Sequence, residues 1–433
     1  RVMVAPVYSD ATSDRPWFVE SRSSRDNDKA DWYVWADPKP DGSPPNNWQA
    51  WFGGPTWTWE PRRRQYYLHN FLSTQPDLNF RNEAVRSAIL DVARYWLAMG
   101  VDGFRLDVAN YYVHDAQLRD NPPSGDPAPA LPRNMQIHEF NSNQPETLDF
   151  IAKVRERVDG HGDNMTVGEL APGSYGLMVE YTKGSHRLHT AYAFDFLSAW
   201  PGVEKMADIL AQWREGPEDG WPSWAFSNHD APRWINRWAP DDARDSYARM
   251  AMLLFLCLRG NAIIWQGEEL GLTQVEIPFD RLQDPEAIAN WPLTLSRDGT
   301  RTPMPWKAEA PNCGFSSQTP WLPLGSDHVA LAVDKQEESG HSMLHATRRF
   351  IALRQANEAL RSGDIRIVDA QGPILAFERK SEHQTILCLF NMGGQSVHWT
   401  PDNLEQWRTI EQLNATGDWK IGPYGALVAE RVI

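Results

Sequence analysis

The chain has 433 residues, with 42 Lys+Arg against 57 Asp+Glu, a formal charge of 42 − 57 = −15. Hydrophobic residues make up 41% and aromatics 11%, enough apolar surface to offset the entropy of folding; this excludes disorder for most of the chain and leaves room for more than one domain. The acidic balance argues against a nucleic-acid partner, and the longest apolar run, Met250 to Leu258, is far too short to cross a bilayer.

A strand-like run opens the chain at once with Val2, Met3, Val4 and Val7, behind Arg1 and not a Met. Proteins seldom open inside a core strand, so a preceding segment is expected to have been removed or left out. No charged leader with an apolar stretch is present. The three cysteines, Cys257, Cys313 and Cys388, lie far apart, which fits a reducing compartment and a cytoplasmic location.

Residues 9–80 are polar and rich in Pro and Gly, with six Trp between positions 32 and 59. A long stretch of low periodicity is usually a functional insertion. The chain holds 21 Trp in all. Many Trp in loop-rich sequence fit either sugar stacking or large cores under long loops.

From Arg81 the pattern becomes regular. Ala84, Ile89, Leu90, Val92, Trp96 and Leu97 recur at helical spacing, and Gly100 stands where a helix ends. Strands are expected at Val101–Asp107, Met165–Glu169, Thr190–Phe196, Trp224–Ser227 and Ala262–Trp265. Helices between them are expected near 145–158, 175–182, 203–213 and 241–259, with a last one over 342–360. Alternating strands and helices mean βα units and a parallel sheet. With the opening run, six strands are counted. Most end in or just before a polar residue: Asp107, Glu169, Asp195, Asp230, Glu268. Polar groups at the carboxyl ends of parallel strands are where a (β/α)₈ barrel builds its site. The fold class is therefore α/β, a TIM-type barrel whose first two strands are absent from this sequence. Residues 1–8 and 81–360 are expected to form it. Residues 9–80 would be an inserted subdomain, and 361–433 a C-terminal antiparallel β-sandwich.

Three strand ends carry chemistry. In Gly103-Phe104-Arg105-Leu106-Asp107, Arg105 and Asp107 share a strand face, and a guanidinium keeps a neighbouring carboxylate ionised, as a nucleophile requires. A structural ion pair would read the same way. Glu169 closes the apolar run Thr166-Val167-Gly168, where partial desolvation suits a general acid; a loop cap is the plainer alternative. Asp230 in Ser227-Asn228-His229-Asp230 has amide and imidazole donors beside it, fit for sugar hydroxyls and developing positive charge, or for an Asx-type cap.

In this order on alternating βα units, the three resemble glycoside hydrolase family 13, the α-amylase family, in its oligo-1,6-glucosidase and α-glucosidase branch. Gln75-Pro76-Asp77-Leu78-Asn79, Gln266-Gly267-Glu268-Glu269-Leu270-Gly271 and Arg301-Thr302-Pro303-Met304-Pro305-Trp306 match further. The resemblance runs over essentially the whole chain, starting at the family's third barrel strand. It implies Asp107 as nucleophile, Glu169 as acid/base and Asp230 as transition-state stabiliser. It implies Arg105, His229 and Arg301 as sugar ligands and Phe80 as an aromatic wall. Val108 after the nucleophile is a residue that α-1,6-specific members of the branch tend to carry. The opening run departs from the pattern: Ala5 stands where the branch has Asp, and Asp10 where it has His.

The implied activity is a retaining exo-α-glucosidase on short α-glucosides, working without a cofactor, as a monomer or homodimer. The family's calcium loop is not in this sequence. An α-glucosyl transferase would use the same residues, and a catalytically impaired amylase-like scaffold fits the altered opening run. His186 and His189 form an H-x-x-H without a third ligand, Asp37 and Asp41 do not make a calcium loop, and no nucleotide motif occurs, so no metal is expected.

Overall fold

A computed structural model describes residues 1–129, 131–171, 174–197, 200–213, 220–293 and 296–432. The chain divides into two units, residues 1–192 with 284–295, and residues 193–283 with 296–433.

In the first unit the Pro/Gly-rich stretch folds around its tryptophans. Strands β1 (Trp35–Ala36), β2 (Trp57–Glu60) and β3 (Gln65–Leu68) pair antiparallel in the order β1-β3-β2. Val34, Ala36, Trp48, Trp57 and Leu68 make one apolar cluster against them. The Trp48 and Trp57 indoles donate to Arg119 O at 2.8 Å and Asn46 Oδ1 at 2.7 Å, so each buried ring keeps its polar atom satisfied. For these two residues, core filling outweighs sugar stacking as the reason for the Trp content.

Helix α1 (Glu83–Ala98) starts where Asn82 accepts the Ala84 N–H, and it buries Val85, Ile89, Ala93 and Leu97. Gly100 follows at φ +92°, its N–H on Leu97 O at 2.9 Å. Strand β4 (Gly103–Leu106) then pairs in parallel with β5 (Met165–Gly168) in the register Gly103↔Met165. Only glycine fits at 103, because φ is +148° and a Cβ would stand 1.9 Å from Met165 O. Helix α2 (Glu146–Asp159) leads into β5, and α3 (Tyr175–Thr182) into β6 (Thr190–Ala193), which pairs in parallel with β5.

The opening run is less of a strand than its sequence suggests. It makes one parallel bridge, Val4 with Phe104, with Val4 N–H on Gly103 O and Arg105 N–H on Val4 O. The next donor in that ladder would be residue 6, which is proline and has no N–H.

In the second unit, α4 (Val203–Gln212) precedes β7 (Pro222–Trp224), and α5 (Arg244–Cys257) precedes β8 (Asn261–Ala262), which pairs in parallel with β7. Every residue of α5 from Met250 to Cys257 is buried. The expected last helix is two: α6 (Met343–Ala356), then a turn at Asn357 (φ −114°, ψ 115°) and a short helix over Glu358–Ser362.

Strands β9 (Asp364–Asp369), β10 (Ile374–Lys380), β11 (Thr385–Asn391), β12 (Val397–His398), β13 (Trp407–Ala415) and β14 (Lys420–Arg431) complete the chain. They hydrogen-bond as one antiparallel sheet. The reason is the length of β14, whose twelve residues pair with β12, β11 and β13. Arg379 on β10 is fully buried and gives hydrogen bonds to Cys257 O, Leu360 O, Gly363 O and Asp364 O, anchoring the sheet to the end of α5.

Candidate active site

Residues i and i+2 of a strand lie on one face, and Arg105 and Asp107 at the end of β4 do so: the Arg105 guanidinium is paired with the Asp107 carboxylate. The parallel register sets Leu106 beside Gly168, which carries Glu169 to the same strand-end level. Arg105 reaches it too, with NH2 at 2.7 Å from Glu169 Oε2. One planar fork therefore holds two carboxylates, a geometry that lysine could not supply.

Val108 completes the contact. Its N–H donates to Glu169 Oε2 at 3.2 Å, and the Ala109 N–H to Glu169 O at 2.8 Å. To do this Val108 sits at φ 33°, ψ 49°, in the left-handed region that a β-branched side chain avoids. Backbone strain of this kind concentrates at functional sites and persists only where the surroundings enforce it.

A second carboxyl pair lies in this unit. Asp10 bridges Asp77 in antiparallel fashion, flanked by Leu78 N–H on Ser9 O and Ala11 N–H on Pro76 O. That flanking pattern marks a pair not hydrogen-bonded to each other, the arrangement in which opposed side chains come closest. Both are buried. Asp77 is bound by the N–H and side-chain amide of Asn70. Burial raises the Asp10 carboxyl to about 6, opposed by the Ser9 hydroxyl and reinforced by the charge of Asp107. Burial and the charge of Asp10 raise Asp77 well above the usual range.

A carboxyl whose folded pKa is raised holds its proton more tightly when folded, so stability falls as pH rises from about 4 through 6. Asp10→Asn is thus expected to stabilise the chain at pH 8 by up to about 3 kcal/mol, with little or no gain below pH 4. Thermal unfolding across that range checks this; a pH-independent difference would refute it.

Phe80 is not at an open wall. Its ring is 1% exposed, stacked on Tyr112 at 5.0 Å and edge-on to Phe150 at 4.9 Å. The Gln75–Asn79 segment carries it inward because its apolar ring finds an aromatic core there. His189 has a structural role, with its Nδ1 accepting the Thr166 N–H at 3.1 Å. Among the described residues, no three His, Cys, Asp or Glu side chains group to hold a metal ion.

In the second unit, Asn228 Oδ1 accepts the N–H groups of Asp230 and Ala231, forming an Asx turn that presents Asp230. His229 Nε2 lies 3.2 Å from Asp230 Oδ2. Arg301 gives NH2 to Asp230 Oδ1 at 2.7 Å and Nε to His229 O at 2.7 Å. Arg297, which the sequence reading passed over, puts NH1 3.3 Å from the same Asp230 oxygen. The signal available was a second arginine four residues before Arg301, at the first position of the 3₁₀ helix Arg297–Thr300 that Arg301 closes. Asp107, Glu169 and Arg105 are thus brought together in the first unit, and Asp230, His229 and Arg301 in the second.

The model of the α-amylase catalytic domain matches residues 1–363. The chain belongs to the α-amylase family. A probable α-glucosidase of Rhizobium meliloti strain 1021 is 47% identical over 408 residues, 92% of this chain and 74% of that protein. An oligo-1,6-glucosidase of Heyndrickxia coagulans is 30% identical over 449 residues, 95% of this chain and 79% of that protein. Among solved structures, an α-glucosyl transfer enzyme matches with a TM-score of 0.93 at 42% identity, covering all of this chain and 83% of that one. The fold is the α-amylase family fold, a TIM barrel with a C-terminal antiparallel sheet, as the alternation of strands and helices led us to expect.

Proposed function

We propose that this member of the α-amylase family is a retaining exo-α-glucosidase that hydrolyses short α-glucosides by double displacement. The observation that carries the reading is the single guanidinium of Arg105 holding both Asp107 and Glu169. Two carboxyls that share one fork suit the close spacing of retaining enzymes, about 5–5.5 Å, better than the wider spacing that admits water. Relatives named for α-glucosidase and oligo-1,6-glucosidase activity support it further.

Asp107 attacks the anomeric carbon as protonated Glu169 gives its proton to the leaving oxygen. Glu169 then takes a proton from water, which displaces Asp107 and releases glucose. Asp230, gripped by Arg301 and Arg297, is the third carboxylate, steadying positive charge on the sugar ring. The branched, buried side chain of Val108 beside the nucleophile favours α-1,6 links. Proton NMR of early hydrolysis tests the mechanism: α-glucose should form first, and β-glucose first would overturn double displacement.

Transfer to a sugar acceptor is the second reading, favoured by the likeness to an α-glucosyl transfer enzyme. Product analysis with a concentrated acceptor separates the two, since glucose alone argues against transfer.

A further inference from the structure

Glu268 is a carboxyl that the mechanism leaves unused. It is 3% exposed, and its two oxygens both accept: Oε1 from the Ser227 hydroxyl at 2.6 Å and Oε2 from the Trp265 N–H at 2.8 Å. The Ser227 oxygen in turn accepts the Trp234 N–H at 2.9 Å. One hydroxyl therefore ties both ends of the loop that presents His229 and Asp230, and Glu268 fixes that hydroxyl's orientation by accepting its hydrogen bond.

The other oxygen of Glu268 leads toward the same site. Trp265, whose backbone it holds, gives its indole N–H to Thr300 O at 3.0 Å, and its ring lies 6.0 Å from that of His229. Thr300 O also accepts from Arg233 at 3.2 Å, and Arg233 is 1% exposed. The next residue, Arg301, grips Asp230 and the His229 carbonyl. We propose that Glu268 is a positioning residue, setting Asp230 through Ser227 and Arg301 through Trp265 and Thr300.

The inference rests on Asp230 acting in sugar cleavage. The ionised form accepts both donors, whereas a protonated carboxyl would have to reverse the Ser227 hydrogen bond and turn that hydroxyl's proton away from Glu268. The charged groups around Glu268 are Arg233 and Arg237, which favour its charge, and Glu269, which opposes it. Burial outweighs them and raises Glu268 to about 7.

The test is kinetics of Glu268→Gln, Ser227→Ala and the double variant on p-nitrophenyl α-glucoside between pH 5 and 9. A Gln keeps one acceptor oxygen, and its NH₂ displaces either the Ser227 proton or the Trp265 N–H, so the loop loses one of its two ties to residue 268. Each single variant is expected to lower kcat about 10- to 50-fold with KM within about threefold. The double is expected to be no worse than the poorer single, as for two residues of one linkage. Loss of activity below pH 7 should flatten in Glu268→Gln. Wild-type kcat with an unchanged pH profile, or losses that multiply in the double, would overturn the proposal. Should the wild-type chain cleave no α-glucoside, it is the glucosidase reading that fails. Crystal structures of wild type and Ser227→Ala then decide the positioning role: Asp230 displaced by about 1 Å supports it, and Asp230 unmoved overturns it.

Discussion

Replacing Asp107 with Asn is expected to lower kcat on α-glucosides by about 10⁴-fold or more, with the far-ultraviolet circular dichroism spectrum unchanged. The amide has the shape of the carboxylate but cannot attack an anomeric carbon. Asp107 is also partly exposed, so the change leaves no deeply buried group unpaired. The Arg105 guanidinium loses a charge partner and keeps Glu169. The measurement is p-nitrophenol release by wild type and variant at equal concentration. Equal rates would remove Asp107 from the mechanism. No release by either would favour an amylase-like binding protein.

The second large effect is expected at Glu169, and it should depend on the leaving group. Glu169→Gln is expected to slow hydrolysis of isomaltose by about 10²- to 10⁴-fold, because a sugar alkoxide cannot depart without its proton. With p-nitrophenyl α-glucoside the first step needs no acid, so its rate should hold. The second step still lacks its base. A rapid burst of p-nitrophenol equal to the enzyme concentration, followed by slow turnover, is the expected trace. Equal losses for both substrates, without a burst, would show that Glu169 is not the acid/base. The same experiment separates this from a structural role for the ion pair with Arg105, which would slow both steps alike.

The departure at the opening of the chain bears on both experiments. Ala5 is exposed, whereas Asp10 is buried against Asp77 and within the electrostatic reach of Asp107. An ionised Asp10 would repel the charge of the nucleophile, and an ionised Asp77 would repel Asp10. Burial keeps Asp10 and Asp77 protonated to higher pH than usual, which lessens that repulsion on the acid side.

Much of this was legible in the residues, for local reasons. Strand periodicity alone places Arg105 and Asp107 on one face. Gly100 and the helical spacing between Ala84 and Leu97 mark out α1, although of the residues read at that spacing only Ile89 and Leu97 are among those it buries. Tyr175–Thr182 reads as a helix and is one. The misses share a cause as well. Nothing local says that Pro6 would interrupt a ladder with a strand a hundred residues away, or that Phe80 would turn inward onto Tyr112 and Phe150. Nor does spacing say that β14 would pair with three partners.

The residue order by itself set which side chains stand at the strand ends, how the apolar faces repeat, and the excess of negative charge. The first two depend on neighbours one to four positions away, and the charge on composition alone. Only the folded chain decided that one arginine would clasp two acids from different strands, that Val108 would be held in a strained backbone, and that Glu268 would be enclosed beneath the Asp230 loop. Each of these joins segments dozens of residues apart, and such contacts are fixed by packing and register, which no short window of sequence contains.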